Sequence, residues 1–447
     1  MCRGAGKEQI IKYDSAVHAK QVEITLRSLE KRARVSFFRL PRSIVFALVL
    51  AMLAPWAVMV VLSLRSRPSS VLPASNGTVS ASTRADQRHC KPGPWGNIEY
   101  FDIVTQPPDN LISPGFFGEA QPAWVFKGYS KAALYELLAS AELTEAQRIA
   151  IDRAVEFSAA ANQCVLKPSK ELILGLSPKA RATLYAVLAK FPENNAQRDP
   201  FIFRPEQIGE WFGDNSGLEK RTVSLLKGLL YPRADLMLLS DHSTVLSELP
   251  EKEERVRLLK VCFRRSAVFP RLRVAADSDL KALTSYWSKG GREMVVGPLL
   301  RSLPPAAGGI TVDIALLLPP FARERLYTYP LPGPETKGLS RDCHWTALNF
   351  FNAPPDDRYS HPDQVRSAIE NDYYPVPGSP TFGDLVLFSE PRGNLLHSAV
   401  YVADDILFTK NGPHFTSPWM LQTQAEVLAA FPTYGKLDVG YFRAKKF

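Results

Sequence analysis

Ser43 to Leu64 (SIVFALVLAMLAPWAVMVVLSL) runs 22 residues without a charge, bracketed by Arg42 and Arg65. A helix needs about 20 apolar residues to cross the hydrocarbon core of a bilayer, so this stretch predicts a transmembrane helix. Pro55 and Trp56 fit, because proline is tolerated in such helices. Lys31, Arg32, Arg34, Arg39 and Arg42 precede it, and only Arg65 and Arg67 follow closely. The cationic flank places residues 1–42 in the cytoplasm and everything after residue 64 outside. A cleavable signal peptide has a shorter apolar region, about 7–15 residues. The expectation is an uncleaved, single-pass signal anchor with its remaining domains extracytoplasmic, periplasmic in a bacterial cell.

That anchor divides the chain into a basic tail (1–42), a membrane segment (43–64), a tether (65–90) and the folded remainder. The tether is rich in Ser, Pro, Ala, Thr and Gly, which cannot bury enough apolar surface to fold. In residues 91–324 helical signals dominate. Thr144 and Gln147 form a capping box, and Ser177-Pro178 is a cap followed by a proline at the first helical position. A mainly α-helical domain is expected there. Phe263-Arg264-Arg265 with Arg271 and Arg273 makes a local basic cluster, read as a solvated face in preference to a polyanion patch. The net charge of +9 suits an acidic partner without choosing one. The absence of zinc-finger, helix-turn-helix or RNA-recognition signatures argues against nucleic acid. An oxidising compartment permits a disulfide among Cys90, Cys164 and Cys262.

Residues 325–447 change character. A helix starting near Asp342 carries Cys343, Ala347, Phe350 and Phe351 on one face. Strands follow at 384–389, 397–402 and 406–410, then a helix from Thr416 or Ser417 to about Ala430, and a closing strand at 438–443. The order predicts an α+β domain with a small antiparallel sheet. A thiol at a helix start ionises more easily, and the thiolate is the reactive form. A nucleophilic cysteine also needs a base and a group that orients the base. His397 opens a strand and is the candidate base. Asn411, whose amide oxygen can accept from an imidazole N–H, is the candidate orienter, with Thr409 in reserve. Lys410 is expected on the opposite strand face from both. His344, His361 and His414 are less well placed, and their spacing with Cys343 does not make a metal site. No metal and no cofactor is expected.

Asp342-Cys343, then Gly383-Asp384-Leu385-Val386-Leu387-Phe388, then His397-Ser398-Ala399-Val400-Tyr401-Val402 and Leu407-Phe408 together resemble the NlpC-type papain-like cell-wall cysteine peptidases. The resemblance implies a papain-like fold for residues 325–447. It also implies Cys343 as nucleophile, His397 as base, and a third polar residue near twelve positions after the histidine. A tyrosine upstream of the cysteine would help at the oxyanion position, Tyr329 in preference to Tyr327. Asp342 and Trp345 would border the substrate. The family has small residues after Asp-Cys, whereas His344-Trp345 stand here, so the groove floor must differ. The implied activity is cleavage of amide bonds in peptidoglycan stem peptides through an acyl-enzyme, with peptidoglycan or another acidic wall polymer as partner. Two alternatives share the residues: an acyltransferase using the same dyad, and a non-catalytic wall-binding or scaffold protein with a papain-like shell.

Overall fold

The computed structural model describes residues 87–112, 123–304, 308–331, 341–431 and 434–447. The segments expected as a cytoplasmic tail and a membrane helix, and most of the expected tether, lie outside these residues. Among the described residues no helix is long and apolar enough to cross a membrane.

Two short strands open the described chain, β1 (Arg88–His89) and β2 (Asn97–Thr105). The last residues of the expected tether are therefore paired, Arg88 opposite Tyr100 and His89 opposite Glu99. Next comes a body whose helices are interleaved with two three-stranded antiparallel sheets. The first holds β3 (Trp124–Lys127), β4 (Val155–Ser158) and β5 (Gln163–Leu166), in the order β3-β5-β4. The second holds β6 (Phe201–Phe203), β7 (Tyr231–Arg233) and β8 (Leu236–Leu239), in the order β6-β8-β7. The capping signals act where the sequence has them. Thr144 and Gln147 cap Glu145–Ala154 reciprocally, and Ser177 accepts from Ala180 N at the start of Pro178–Leu188. One apolar core running from Ile112 to Cys262 holds this body together. Inside it, buried Arg181 pairs with Asp241 at 3.1 Å, and Tyr185 donates to the same carboxylate at 2.9 Å. Burial pushes Asp241 up to about 6.

The basic cluster lies on a strand. β9 (Arg265–Val274) and β10 (Ile310–Asp313) complete a sheet with the order β1-β2-β9-β10. Arg271 and Arg273, two positions apart, share one strand face, where Arg273 pairs with Glu99 at 2.8 Å and Arg271 lies over Phe101. This sheet and residues 280–326 share a second apolar core with the C-terminal region, including Ile98, Leu272, Trp287, Phe321, Trp345, Phe382 and Phe408. β9 packs against Trp419–Thr423 of the C-terminal sheet, and the described residues belong to one compact unit.

That sheet has six strands: β11 (Tyr373–Pro375), β12 (Leu385–Ser389), β13 (Leu395–Ala403), β14 (Ile406–Lys410), β15 (Trp419–Thr423) and β16 (Asp438–Ala444). Their order is β11-β16-β12-β13-β14-β15, antiparallel throughout. The architecture is mixed α and β with small antiparallel sheets. Residues 419–423 are expected as helix yet form β15, because Trp419 to Thr423 are all buried as the next strand beside β14. The helix starts only at Gln424, capped by a box of Thr423 and Glu426.

Where β12 begins, Gly383 adopts a φ of +82°, and a Cβ there would sit 2.3 Å from Phe351 Cζ. The next residue, Asp384, is fully buried. It accepts from Lys289 Nζ (2.9 Å), Arg443 Nη2 (2.7 Å) and Thr381 N (2.8 Å). These bonds hold its carboxyl below the ordinary range against the cost of burial. The Gly-Asp pair thus ties helix Leu280–Trp287, the sheet and its closing strand together.

Candidate active site around Cys343

Helix Cys343–Leu348 lies on one face of the C-terminal sheet, and strand alternation decides what it meets. Directly opposed residues share a face. Leu387 pairs with Ser398, Leu385 with Val400, Val400 with Phe408 and Lys410 with Trp419. That set faces the helix: Trp419 Nε1 donates to Thr346 Oγ1 at 3.0 Å, and His344 Nδ1 shares a 2.8 Å hydrogen bond with Ser398 Oγ. The other set, with Phe388 opposite His397, Val386 opposite Ala399 and Tyr401 opposite Leu407, faces a separate apolar cluster containing Val427 and Leu437.

His397 therefore stands on the face turned away from Cys343. Its ring packs 5.6 Å from Phe388 and 5.3 Å from Phe431, and Nε2 hydrogen-bonds Thr409 Oγ1 at 2.8 Å. Burial pushes it down to about 3, so it is a neutral core histidine. The structure joins His397 to Thr409, twelve positions on, and separates both from the thiol by the sheet. Asn411 joins neither; its Nδ2 donates to Gln422 Oε1 at 3.1 Å. Tyr329 sits beside Arg265 and Thr105, whereas Tyr327 donates to Val268 O at 2.5 Å. Trp345 is core: its indole donates to Asp357 at 3.0 Å and packs 5.3 Å from Phe321. Placing the base at His397 requires the opposite strand face, and the alternation of Val400, Val402 and Phe408 toward the helix fixes that face.

Cys343 is 5% exposed. Asp342 caps the helix, and its Oδ1 accepts from His344 N (2.9 Å) and Trp345 N (3.1 Å). The helix-start amides expected to favour the thiolate are thus engaged by a carboxylate, which itself opposes a second negative charge. Burial, and then Asp342, push the thiol up to about 12. Backbone groups of Ser398 and His344 and the charge of Lys410 act in the other direction.

Besides His344, the cysteine's side of the sheet carries Lys410, which sequence reasoning left without a role. It is wholly buried, its amino group donating to Gly412 O (2.5 Å) and His414 O (3.0 Å). Burial pushes it down to about 8, with Cys343 and then Asp342 pulling back up. Its position opposite Thr409 was readable from strand alternation; the face carrying the cysteine was not. His344 is half-buried, and burial lowers it while Asp342 raises it.

Cys90, Cys164, Cys262 and Cys343 are all free thiols, so the permitted disulfide is not formed. Cys164 and Cys262 lie within the core of the helical body, away from Cys90 in the second core. Among the described residues no group of three His, Cys, Asp or Glu side chains is arranged to hold a metal. Comparison with protein-family models, with curated proteins and with solved structures gives no match for this chain.

Proposed function

We propose that the chain is a cysteine-dependent amide hydrolase in which Cys343 is the nucleophile and Lys410 its base. The observation carrying this reading is the wholly buried Lys410, on the sheet face that meets the Cys343 helix, brought down to about 8 by burial while the charge of Cys343 acts on it. A neutral amine keeps two N–H groups and one lone pair. Two donors are already directed to Gly412 O and His414 O, leaving the lone pair for the sulfur's proton. Proton transfer from Cys343 to Lys410 makes a thiolate–ammonium pair. The Ser398 backbone group steadies the thiolate, the thiolate attacks the carbonyl carbon, and the ammonium gives its proton to the leaving amine as the tetrahedral adduct collapses. Water then hydrolyses the acyl-enzyme. Peptide amides of wall stem peptides are the substrate class implied by the resemblance, and a membrane anchor at residues 43–64 would keep the enzyme beside them.

The test is release of amine and carboxylate ends from cell-wall fragments by the full chain and by Cys343→Ala. Turnover in the wild type and none in the variant is expected. Equal turnover in both removes the proposal. One observation favours a second reading, a non-catalytic wall-binding shell: the thiol is buried and pushed up to about 12. That reading expects Cys343 to resist alkylation even above pH 8 and the wild type to turn over no fragment.

A further inference from the structure

Away from Cys343, where the helical body meets the C-terminal sheet, lies a cavity of ≈ 270 Å³. Its wall includes Trp211, Arg264, Arg265, Asn411, Gln422 and Phe431. Two arginines of the basic cluster therefore line this half-open cavity.

Both guanidiniums hydrogen-bond to neutral oxygens. Arg264 donates to Gln106 Oε1 (2.8 Å) and Trp211 O (3.1 Å), and Arg265 to Arg264 O (2.8 Å) and Cys262 O (3.4 Å). Burial lowers both, with Glu210 acting against it at Arg264 and Asp199 at Arg265. The cavity's third guanidinium, Arg204, is paired with Glu426 at 3.0 Å. Asp199 and Glu426 line the wall with the three arginines, Glu210 acts on Arg264 from outside it, and Arg265 makes no ion pair among the described residues. Two further groups have no partner among the described residues. Trp211 is 3% exposed, and its buried Nε1 donates to none of them. Asn411 Oδ1 is buried and accepts from none of them. A buried donor or acceptor left unpaired costs about 1–3 kcal/mol, so each points to a ligand that completes it. Ile202, Leu236 and Phe431 add an apolar side.

We propose that this cavity binds an N-acylated amino acid or the carboxyl end of a short peptide. The carboxylate takes Arg265 and the Trp211 indole N–H, the amide N–H of the ligand donates to Asn411 Oδ1, and its side chain lies on the apolar wall. An anion alone would leave Asn411 unsatisfied, and a neutral amide would leave the charge unused. The site includes the Asn411–Ser417 loop whose Gly412 and His414 carbonyls hold Lys410, but binding needs neither Lys410 nor Cys343.

Isothermal titration of the full chain tests this with N-acetylalanine, its neutral amide N-acetylalaninamide, O-acetyllactate, which lacks the N–H, and inorganic phosphate. N-acetylalanine is expected to bind at least about tenfold more tightly than each of the other three. Trp211→Phe, which removes only the indole donor, and Asn411→Asp, which sets a charge against the carboxylate, are each expected to weaken it about tenfold or more, with melting curves confirming both variants fold. Cys343→Ala is expected to bind like the wild type even if it has no activity to lose. No heat with N-acetylalanine, equal affinity for acid and amide, or affinity unchanged in both cavity variants overturns the proposal. Phosphate binding as tightly as N-acetylalanine does the same, marking a site for any anion.

Discussion

Replacing Lys410 by methionine tests the electrostatics at the proposed centre without touching the thiol. Lys410 has no exposed surface and is held at about 8 in the folded chain against 10.5 when free. A group depressed on folding binds fewer protons in the native state than in the unfolded state between those two values. Stability therefore rises with pH across that window. One proton bound differently by the two states changes stability by about 1.36 kcal/mol for each pH unit crossed. The wild type thus gains about 2 kcal/mol from this lysine between pH 7 and pH 9.5, nearly all of it above pH 8. Cys343 opposes this, since a thiol raised to about 12 loses stability as the unfolded thiol ionises above about 9. Its contribution is common to both proteins at pH 9.5, so the difference between wild type and Lys410→Met isolates the lysine. The methionine also leaves Gly412 O and His414 O without that donor, a loss that offsets the curve without tilting it. Urea unfolding at pH 7, 8, 9 and 9.5 measures the difference. The wild type should gain about 2 kcal/mol on the variant over that range. A difference constant with pH would mean that Lys410 is not a depressed, buried amine and would remove its claim to be a base.

Two further predictions concern the frame. His397, lowered to about 3 by burial, should cost about 2 kcal/mol of stability as pH falls from 7 to 5, because the unfolded imidazole takes up a proton that the folded one refuses. His397→Phe should abolish that acid sensitivity in a chemical-denaturation series, and a slope retained in the variant would refute the assignment. Asp384→Asn leaves Lys289 and Arg443 facing a neutral amide in a buried position. A loss of about 3–5 kcal/mol is expected in the denaturation midpoint, and one under about 1 kcal/mol would show that the cluster does not hold the fold.

Much of the C-terminal architecture was legible in the residues. The run Ile406–Lys410 is the strand expected, and Leu385–Ser389, Leu395–Ala403 and Asp438–Ala444 extend or trim theirs by only a residue or two. Capping residues located the helix starts after Thr144 and Ser177 because capping is local chemistry, but Ser417-Pro418 announced a helix where β15 stands. Two further things were not legible. β9 was hidden because its arginines and Pro270 break the look of a strand, and only its place between β2 and β10 in the sheet makes it one. The facing of His397 was hidden because a strand's pattern says which residues alternate, not which set meets a particular helix. Val400, Val402 and Phe408 are all apolar on the helix side, and Ala399, Tyr401 and Leu407 are apolar on the other. With both faces buried, hydrophobicity carries no sign, and the histidine could be assigned to either one.

The central claim is that Cys343 acts with Lys410, and that His397 serves the core. Intact mass of the full chain, sampled on the millisecond scale after mixing with wall peptide fragments at pH 8, tests it most directly. The wild type and His397→Phe should both form the acyl adduct, Cys343→Ala should form none, and Lys410→Met should form it at least about 100-fold more slowly. Adduct lost in His397→Phe and kept at full rate in Lys410→Met would contradict the account.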